Sequence, residues 1–234
     1  MATKGPRASS TNIEAPMSKT AYVLARLRQD LADGTIQPGQ QLRQVEIAAT
    51  YGVSPTPVRE ALRLLEADGA IQYSPHRGAT VTELTFDELS DLYLLRRTVE
   101  ALLSGLAARR ADASHTARIR AMHEQLAIKA AKASESSAAA LSKANRDFHL
   151  AILRLGSPLI TQHVVEPLWH GFLPPSRSQW RSADRNALFV SEHEAIVVAL
   201  EAGDEEAARS SMDAHLASAM RLREEAGQQK NQSR

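Results

Sequence analysis

Gly52-Val53-Ser54-Pro55-Thr56-Pro57-Val58-Arg59-Glu60-Ala61-Leu62-Arg63-Leu64-Leu65-Glu66 decides how the first third of the chain folds. Gly52 closes a short helix expected over residues 44–51. Ser54 offers an N-cap, and the prolines at 55 and 57 fall in the first turn, where a missing N–H costs nothing. Val58, Leu62 and Leu65 then recur at helical spacing and make a buried face. Upstream, Val23, Leu24, Leu27 and Leu31 form another stripe, stopped by Gly34 and followed by a Pro38-Gly39 turn. Downstream, Asp68-Gly69 ends the third helix. Residues 71–73 and 79–82 flank Pro75-His76-Arg77-Gly78 and read as a two-stranded hairpin. Helix, helix, turn, helix and hairpin is the order of a winged helix-turn-helix, which projects the start of one helix into a DNA groove while another braces it.

The residues at that helix start suit the task. Ser54 and Thr56 can bond phosphates or bases, while Arg59 and Arg63 can fork onto guanine or clasp a phosphate. Arg43 belongs to the same candidate DNA-binding set, as do His76, Arg77 and Gly78 at the hairpin tip, where a cation would meet the backbone or minor groove. The alternative is that Arg59-Glu60 and Arg63-Glu66 are solvated helix charges, and spacing alone leaves both open.

Composition bounds the rest. The 234 residues carry 28 Lys+Arg against 27 Asp+Glu, with 43% apolar content and no cysteine. Such a chain is globular, has no disulfide scaffold and no thiolate ligand, and fits a reducing cytoplasm. Its longest apolar run, residues 195–200, is far short of a membrane span. Near-neutral charge decides nothing about nucleic acid. The expected organisation is a tail over 1–18, a winged helix-turn-helix over 19–83, an all-helical domain over 84–226 and a second tail over 227–234. The fold class is mostly α, with an antiparallel helical bundle after the winged head. Helical stripes are expected at 85–110, 114–133, 136–155, 158–168, 186–202 and 204–226, with a kinked or looped connection over 169–183 and a helix-favouring alanine tract at 130–144.

Several polar residues in this half fall on apolar stripes. Asn145 and His149 are spaced i, i+4 along Leu141, Asn145, Phe148, His149 and Ile152. His193 shares a face with Ile196, Val197 and Leu200, and His215 lies with Met212, Leu216 and Ala219. About a turn centred on Asp204, His193 and His215 each stand eleven residues away, roughly 16 Å along antiparallel helices, and so come abreast. Any one of these histidines alone reads as a hydrogen-bonded core residue. Three at matching depth favour a metal site in a bundle, with imidazoles suited to a divalent ion, Zn or Ni first, and an amide oxygen as a weak fourth ligand. His115, His123, His163 and His170 read as ordinary surface or boundary residues. Arg96, on the stripe Leu89, Leu92, Arg96, Val99, could receive an effector carboxylate or pair with Glu100 at i+4. Glu192 and Glu194 flank His193 but point away from its face, which leaves no evident base for a hydrolase.

The literal strings carry more than their spacing. Gly34-Thr35-Ile36-Gln37-Pro38-Gly39-Gln40-Gln41-Leu42, the 52–66 stretch, Gly69 and Arg77-Gly78-Ala79-Thr80-Val81 together resemble the GntR family of bacterial transcriptional regulators. The resemblance implies that Ser54, Thr56, Arg59 and the wing tip near Arg77 face DNA. Pro55 is a departure, standing where many members carry arginine. Leu95-Arg96-Arg97-Thr98-Val99-Glu100, Asn145-Arg146-Asp147-Phe148-His149 and Glu192-His193-Glu194-Ala195-Ile196, with Gly203-Asp204 and His215, resemble the FCD effector domain of the FadR-like subfamily. That resemblance implies a divalent metal held by Asn145, His149, His193 and His215 beside a small organic acid. Many members have aspartate where Asn145 stands.

The expected function is a non-enzymatic, homodimeric repressor in the cytoplasm. It would bind double-stranded DNA at an inverted-repeat operator, and a carboxylate metabolite would set its affinity. The competing readings are a metal-dependent hydrolase with a DNA-binding head, and a regulator whose metal is purely structural.

Overall fold

The computed structural model describes residues 17–32, 34–74, 78–132, 138–171 and 182–232. The chain begins with α1 (Lys19–Ala32), β1 (Gln41–Leu42), α2 (Gln44–Tyr51), α3 (Pro55–Ala67), β2 (Ile71–Ser74) and β3 (Gly78–Val81). Ser18, assigned to the tail from sequence, instead caps α1: its hydroxyl accepts from the Ala21 amide at 3.1 Å. The α2–α3 turn depends on Gly52, which sits at φ 66° and donates its N–H to the last carbonyls of α2. Ser54 occupies the N-cap of α3 in extended geometry, but its side chain makes no capping bond. Val23, Leu27, Ile47, Val58, Leu62, Leu65, Ile71 and Val81 close into one buried cluster. Each such side chain contributes about 1.5–3 kcal/mol by leaving water.

The wing has three antiparallel strands in the order β1-β3-β2, rather than the two expected. Gln41 pairs with Thr80 and Leu42 with Ala79. A two-residue strand is too short to show a period of two, so only its pairing with β3 reveals it. The hairpin tip, including His76 and Arg77, lies outside the described residues.

The second half contains α4 (Phe86–Arg110), α5 (Ala113–Ala131), α6 (Ala138–Gly156), α7 (Pro158–Ile160), a π-helical turn (Thr161–Val165), α8 (Glu166–Gly171), α9 (Ala183–Ala202) and α10 (Glu205–Gln232). α4 starts in a capping box, with Thr85 Oγ1 accepting from the Glu88 amide and the Glu88 carboxylate accepting from the Thr85 amide. Asp112 caps α5 by accepting from the Ser114 and His115 amides. Gly203, at φ 67°, reverses the chain between α9 and α10. Along the alanine tract, α5 ends at Ala131 and α6 starts at Ala138, and 133–137 lie outside the described residues. α10 runs on to Gln232, past the point where the second tail was expected, because the helix-forming residues after Gly227 continue it. Of the expected 169–183 connection, α8 takes residues up to Gly171, and 172–181 lie outside the described residues.

α4 is the central helix of this half and packs against both α6 and α10. The approach is close enough that a Cβ on Gly156 would overlap the Leu103 backbone, and one on Gly105 would press on the Glu205 carbonyl. Phe148, Ile152, Ile196, Leu200, Met212 and Leu216 fill the space between α6, α9 and α10. Gly→Ala in an unhindered helix gains about 0.5–1 kcal/mol. Overpacking against fixed backbone costs about 1–3 kcal/mol. The second effect should win at Gly156. Gly156→Ala is expected to melt lower, by roughly 2–4 °C for each kcal/mol lost, in a thermal unfolding scan. An unchanged or higher melting temperature would contradict the close α4–α6 approach.

Candidate metal centre and nucleic-acid face

The candidate DNA-facing residues that are described lie at the surface of the winged head. Ser54 and Thr56 are exposed at the start of α3. Arg59 and Arg63 are exposed on α3, and both guanidinium groups lie 3.6 Å from Glu60 Oε1. Arg43, at the start of α2, sits 3.1 Å from Glu46. Gly78 is exposed at φ 70° where β3 begins. Exposed ion pairs of this kind are worth about 0–1 kcal/mol. The arginines can therefore leave Glu60 and Glu46 for phosphate or base edges at little cost.

In the helical half, α6, α9 and α10 bring His149, His193 and His215 together. All three are buried, and one nitrogen from each falls within 4.8 Å of the other two. His193 Nε2 and His215 Nε2 are 3.2 Å apart. Phe148 lies 4.7 Å from the His193 ring, tilted by 40°, and Phe189 meets His215 edge-on at 5.6 Å. These aromatic walls hold the rings while keeping water away. Asn145 sits one turn before His149 on α6 and is half-buried.

The remaining ring nitrogens test whether the cluster suits a cation. His149 Nδ1 lies 3.3 Å from Glu100 Oε2, and His215 Nδ1 lies 2.8 Å from Glu192 Oε2. His149 Nε2 is buried without a hydrogen-bond partner, as is His193 Nδ1. An orphaned imidazole nitrogen facing two others is costly in a dry core, and a divalent ion would satisfy it. The donor set could therefore hold a metal ion.

Arg96, Trp169, His123 and Glu192 surround this centre. Arg96 is paired within the core: its Nε donates to Glu100 Oε1 at 2.6 Å, and its guanidinium lies 4.2 Å over the Trp169 ring. The i+4 alternative is the one the structure adopts, because both side chains are sealed from water and neither could remain unpaired. Trp169, which had no assigned role, also donates to Glu100 at 3.2 Å. His123 is buried rather than peripheral because it lies on the inward face of α5 with Ile119, Leu126 and Ala130, and its Nε2 stands 2.9 Å from Glu194, which Arg120 also holds. Glu192 does point away from His193, but it reaches His215 on the next helix, which a reading of α9 alone could not detect. His115 and His163 are exposed as expected, and the His170 side chain lies outside the described residues.

Burial decides the protonation states of His149 and His193, but not that of Glu100. Burial would raise Glu100, but Arg96 and then His149 outweigh it and hold its carboxyl at about 2. Burial pushes His149 down to about 4 against the pull of Glu100. Burial also drives His193 well below its ordinary value, reinforced by His215, His149 and His123. His149 and His193 are thus neutral in the fold, whereas in the unfolded chain they take up protons below about pH 6.5. Between there and pH 4 the unfolded state binds more protons, so stability falls as the pH falls. The slope is at most about 1.4 kcal/mol per pH unit for each histidine. Chelator-treated protein is expected to melt progressively lower from pH 7 to pH 5, and His149→Gln to show a shallower decline. A flat profile would contradict two buried neutral imidazoles.

Comparison with known proteins accords with this architecture. Residues 19–81 match the family described as bacterial regulatory proteins, gntR family, and residues 91–218 match the FCD domain. The HTH-type transcriptional regulator McbR of Escherichia coli (strain K12) is 27% identical over 195 residues, covering 82% of this chain and 87% of that protein. A probable D-xylose utilization operon transcriptional repressor of Paenarthrobacter nicotinovorans is 31% identical over 189 residues, covering 80% and 81%. The match to the regulator YdhC of Bacillus subtilis (strain 168), 34% over 87 residues, spans only 37% of this chain and 39% of that protein. Among solved structures, E. coli McbR/YncC superposes with a TM-score of 0.74 at 23% identity, over 89% of this chain and 99% of the other, which establishes a shared fold. The relatives are regulators rather than enzymes, and the hydrolase reading falls away. With its winged head and its helical half each matched in order, the chain belongs to the gntR family of bacterial regulatory proteins, in the branch that carries an FCD domain.

Proposed function

We propose that the protein is a cytoplasmic transcriptional repressor that acts as a homodimer on an inverted-repeat operator and is released by a small organic acid. The carrying observation is the buried triad of His149, His193 and His215, whose facing nitrogens lie within 4.8 Å of one another. In this reading the triad, with the Asn145 amide oxygen, holds a divalent ion. The ion supplies an electrophilic point to which a carboxylate can coordinate. With Arg96 committed to Glu100, the acid's anchor is the ion itself. Repression is suggested by the relative named as a probable repressor of a D-xylose utilization operon.

The DNA side of the proposal rests on Arg43, Ser54, Thr56, Arg59 and Arg63, with His76, Arg77 and Gly78 at the wing tip. A two-fold dimer would present two such faces, matching an operator of two half-sites. The acid shifts operator affinity only by the difference in its binding to the two arrangements of the heads; a tenfold preference corresponds to about 1.4 kcal/mol.

Elemental analysis of purified protein is expected to find close to one divalent ion per chain, and His149→Ala and His193→Ala are each expected to lose most of it. Protein that stays metal-free after incubation with Zn2+ and Ni2+ would make the triad a packed core cluster. In operator binding measured over a salt series, Arg59→Ala is expected to lose about 1–3 kcal/mol of specific affinity if it reads a base. Unchanged affinity would remove Arg59 from the interface. Carboxylates should then be screened by thermal shift with and without chelator. A hit that binds chelated protein equally well would overturn the ion as anchor.

A further inference from the structure

Each imidazole in the cluster has two nitrogens, and only one can face a cation. For that one to offer its lone pair, the other must carry the proton, and a buried N–H needs an acceptor. His215 meets this requirement most fully. Its Nε2 faces His193 Nε2 at 3.2 Å, and its Nδ1 faces Glu192 Oε2 at 2.8 Å. Both contacts come from neighbouring residues of α9. Successive positions on a helix are about 100° apart, so Glu192 and His193 reach opposite edges of the one ring that α10 places between them.

Glu100 does the corresponding task for His149, but under different terms. Its Oε1 already accepts from Arg96 at 2.6 Å and Trp169 at 3.2 Å, and its other oxygen stands off from His149 Nδ1 at 3.3 Å. Its charge is neutralised by Arg96. Glu192 makes the shorter contact, and no cation pairs with it among the described ion pairs. The negative charge behind the cluster therefore falls on His215 through Glu192.

We propose that Glu192 is a positioning residue for the metal centre: it holds the Nδ1–H tautomer of His215, aims Nε2 at the ion and supplies a charge that raises the ring's donor strength. This rests on the reading of His149, His193 and His215 as metal ligands. Before metal enters, the Nε2–H of His193 donates to the free Nε2 of His215, leaving His193 Nδ1 as the bare, partnerless nitrogen found in the core. An ion held there would take the place of that shared proton, and His193 would then carry its proton on Nδ1. Glu192 keeps His215 set for it throughout.

Two measurements on the full-length chain test this. The first is Zn2+ affinity by competition with a chromophoric chelator, for wild type, Glu192→Gln, Glu192→Ala and the exposed control Glu206→Ala. The second is the His215 tautomer in metal-free protein, read from long-range 15N–1H correlation spectra. Glu192→Ala is expected to weaken Zn2+ binding by about 10–100-fold and to lose the Nδ1–H signature of His215. Glu192→Gln retains an acceptor oxygen without the charge, so it should keep that tautomer and bind Zn2+ with intermediate affinity. It also separates positioning from any folding defect of the alanine variant. Wild-type affinity in Glu192→Ala, or an unchanged His215 tautomer, would overturn the proposal while leaving the metal reading intact. A wild type that takes up no Zn2+ would overturn both.

Discussion

The organisation of the helical half depends on a carboxylate that never meets water. Glu100 is fully buried at the middle of α4, and an isolated charge there would cost several kcal/mol. Three groups from three elements make it tolerable: Arg96 one turn earlier on α4, His149 on α6 and Trp169 on α8. Removing any partner would strand part of the charge, so the ionic contact locks these elements into one arrangement. The same contact sets the face of His149. By taking the Nδ1 side, Glu100 leaves Nε2 pointing toward His193 and His215.

A second constraint acts through backbone rather than charge. Gly203 adopts the left-handed conformation that reverses the chain between α9 and α10, and this reversal sets how the two helices are staggered. Sliding α10 by one residue would rotate His215 by about 100°, away from His193 and Glu192 together. Gly156 and Gly105 add to this by letting α6 and α10 approach α4 at backbone distance. The cluster is thus held by helices whose separation and register leave little slack. That rigidity is what a site needs if occupancy is to be felt at the far end of the bundle.

The winged head follows a different logic. Its buried cluster is apolar, and Arg59 and Arg63 stand outside it on weak surface pairs. Strength of fold and freedom of contact are separated by position along α3: Val58, Leu62 and Leu65 face inward while Arg59 and Arg63 face out. In the helical half the two are merged, because the polar residues that would serve a ligand are also those that hold the core together.

This difference explains what could be read from the chain alone. The order of helices, the Gly52 turn, the apolar face of α3 and the depth match of His193 with His215 are local or nearly local. They follow from a 3.6-residue period, from prolines and glycines in turns, and from symmetric counting about one reversal. The resemblance of residues 34–81 and 95–215 to known regulators lay in contiguous strings for the same reason. Four features were decided only in three dimensions. β1 exists because β3 lies beside it. Glu194 meets His123 and Arg120 because α5 and α9 pack side by side. Arg96 and Trp169 converge on Glu100 because α4 and α8 share one core. Glu192 serves His215 because α9 and α10 pack in one register. Sequence periodicity tells which face of a helix a residue occupies; what stands opposite that face depends on the packing of elements far apart in the chain.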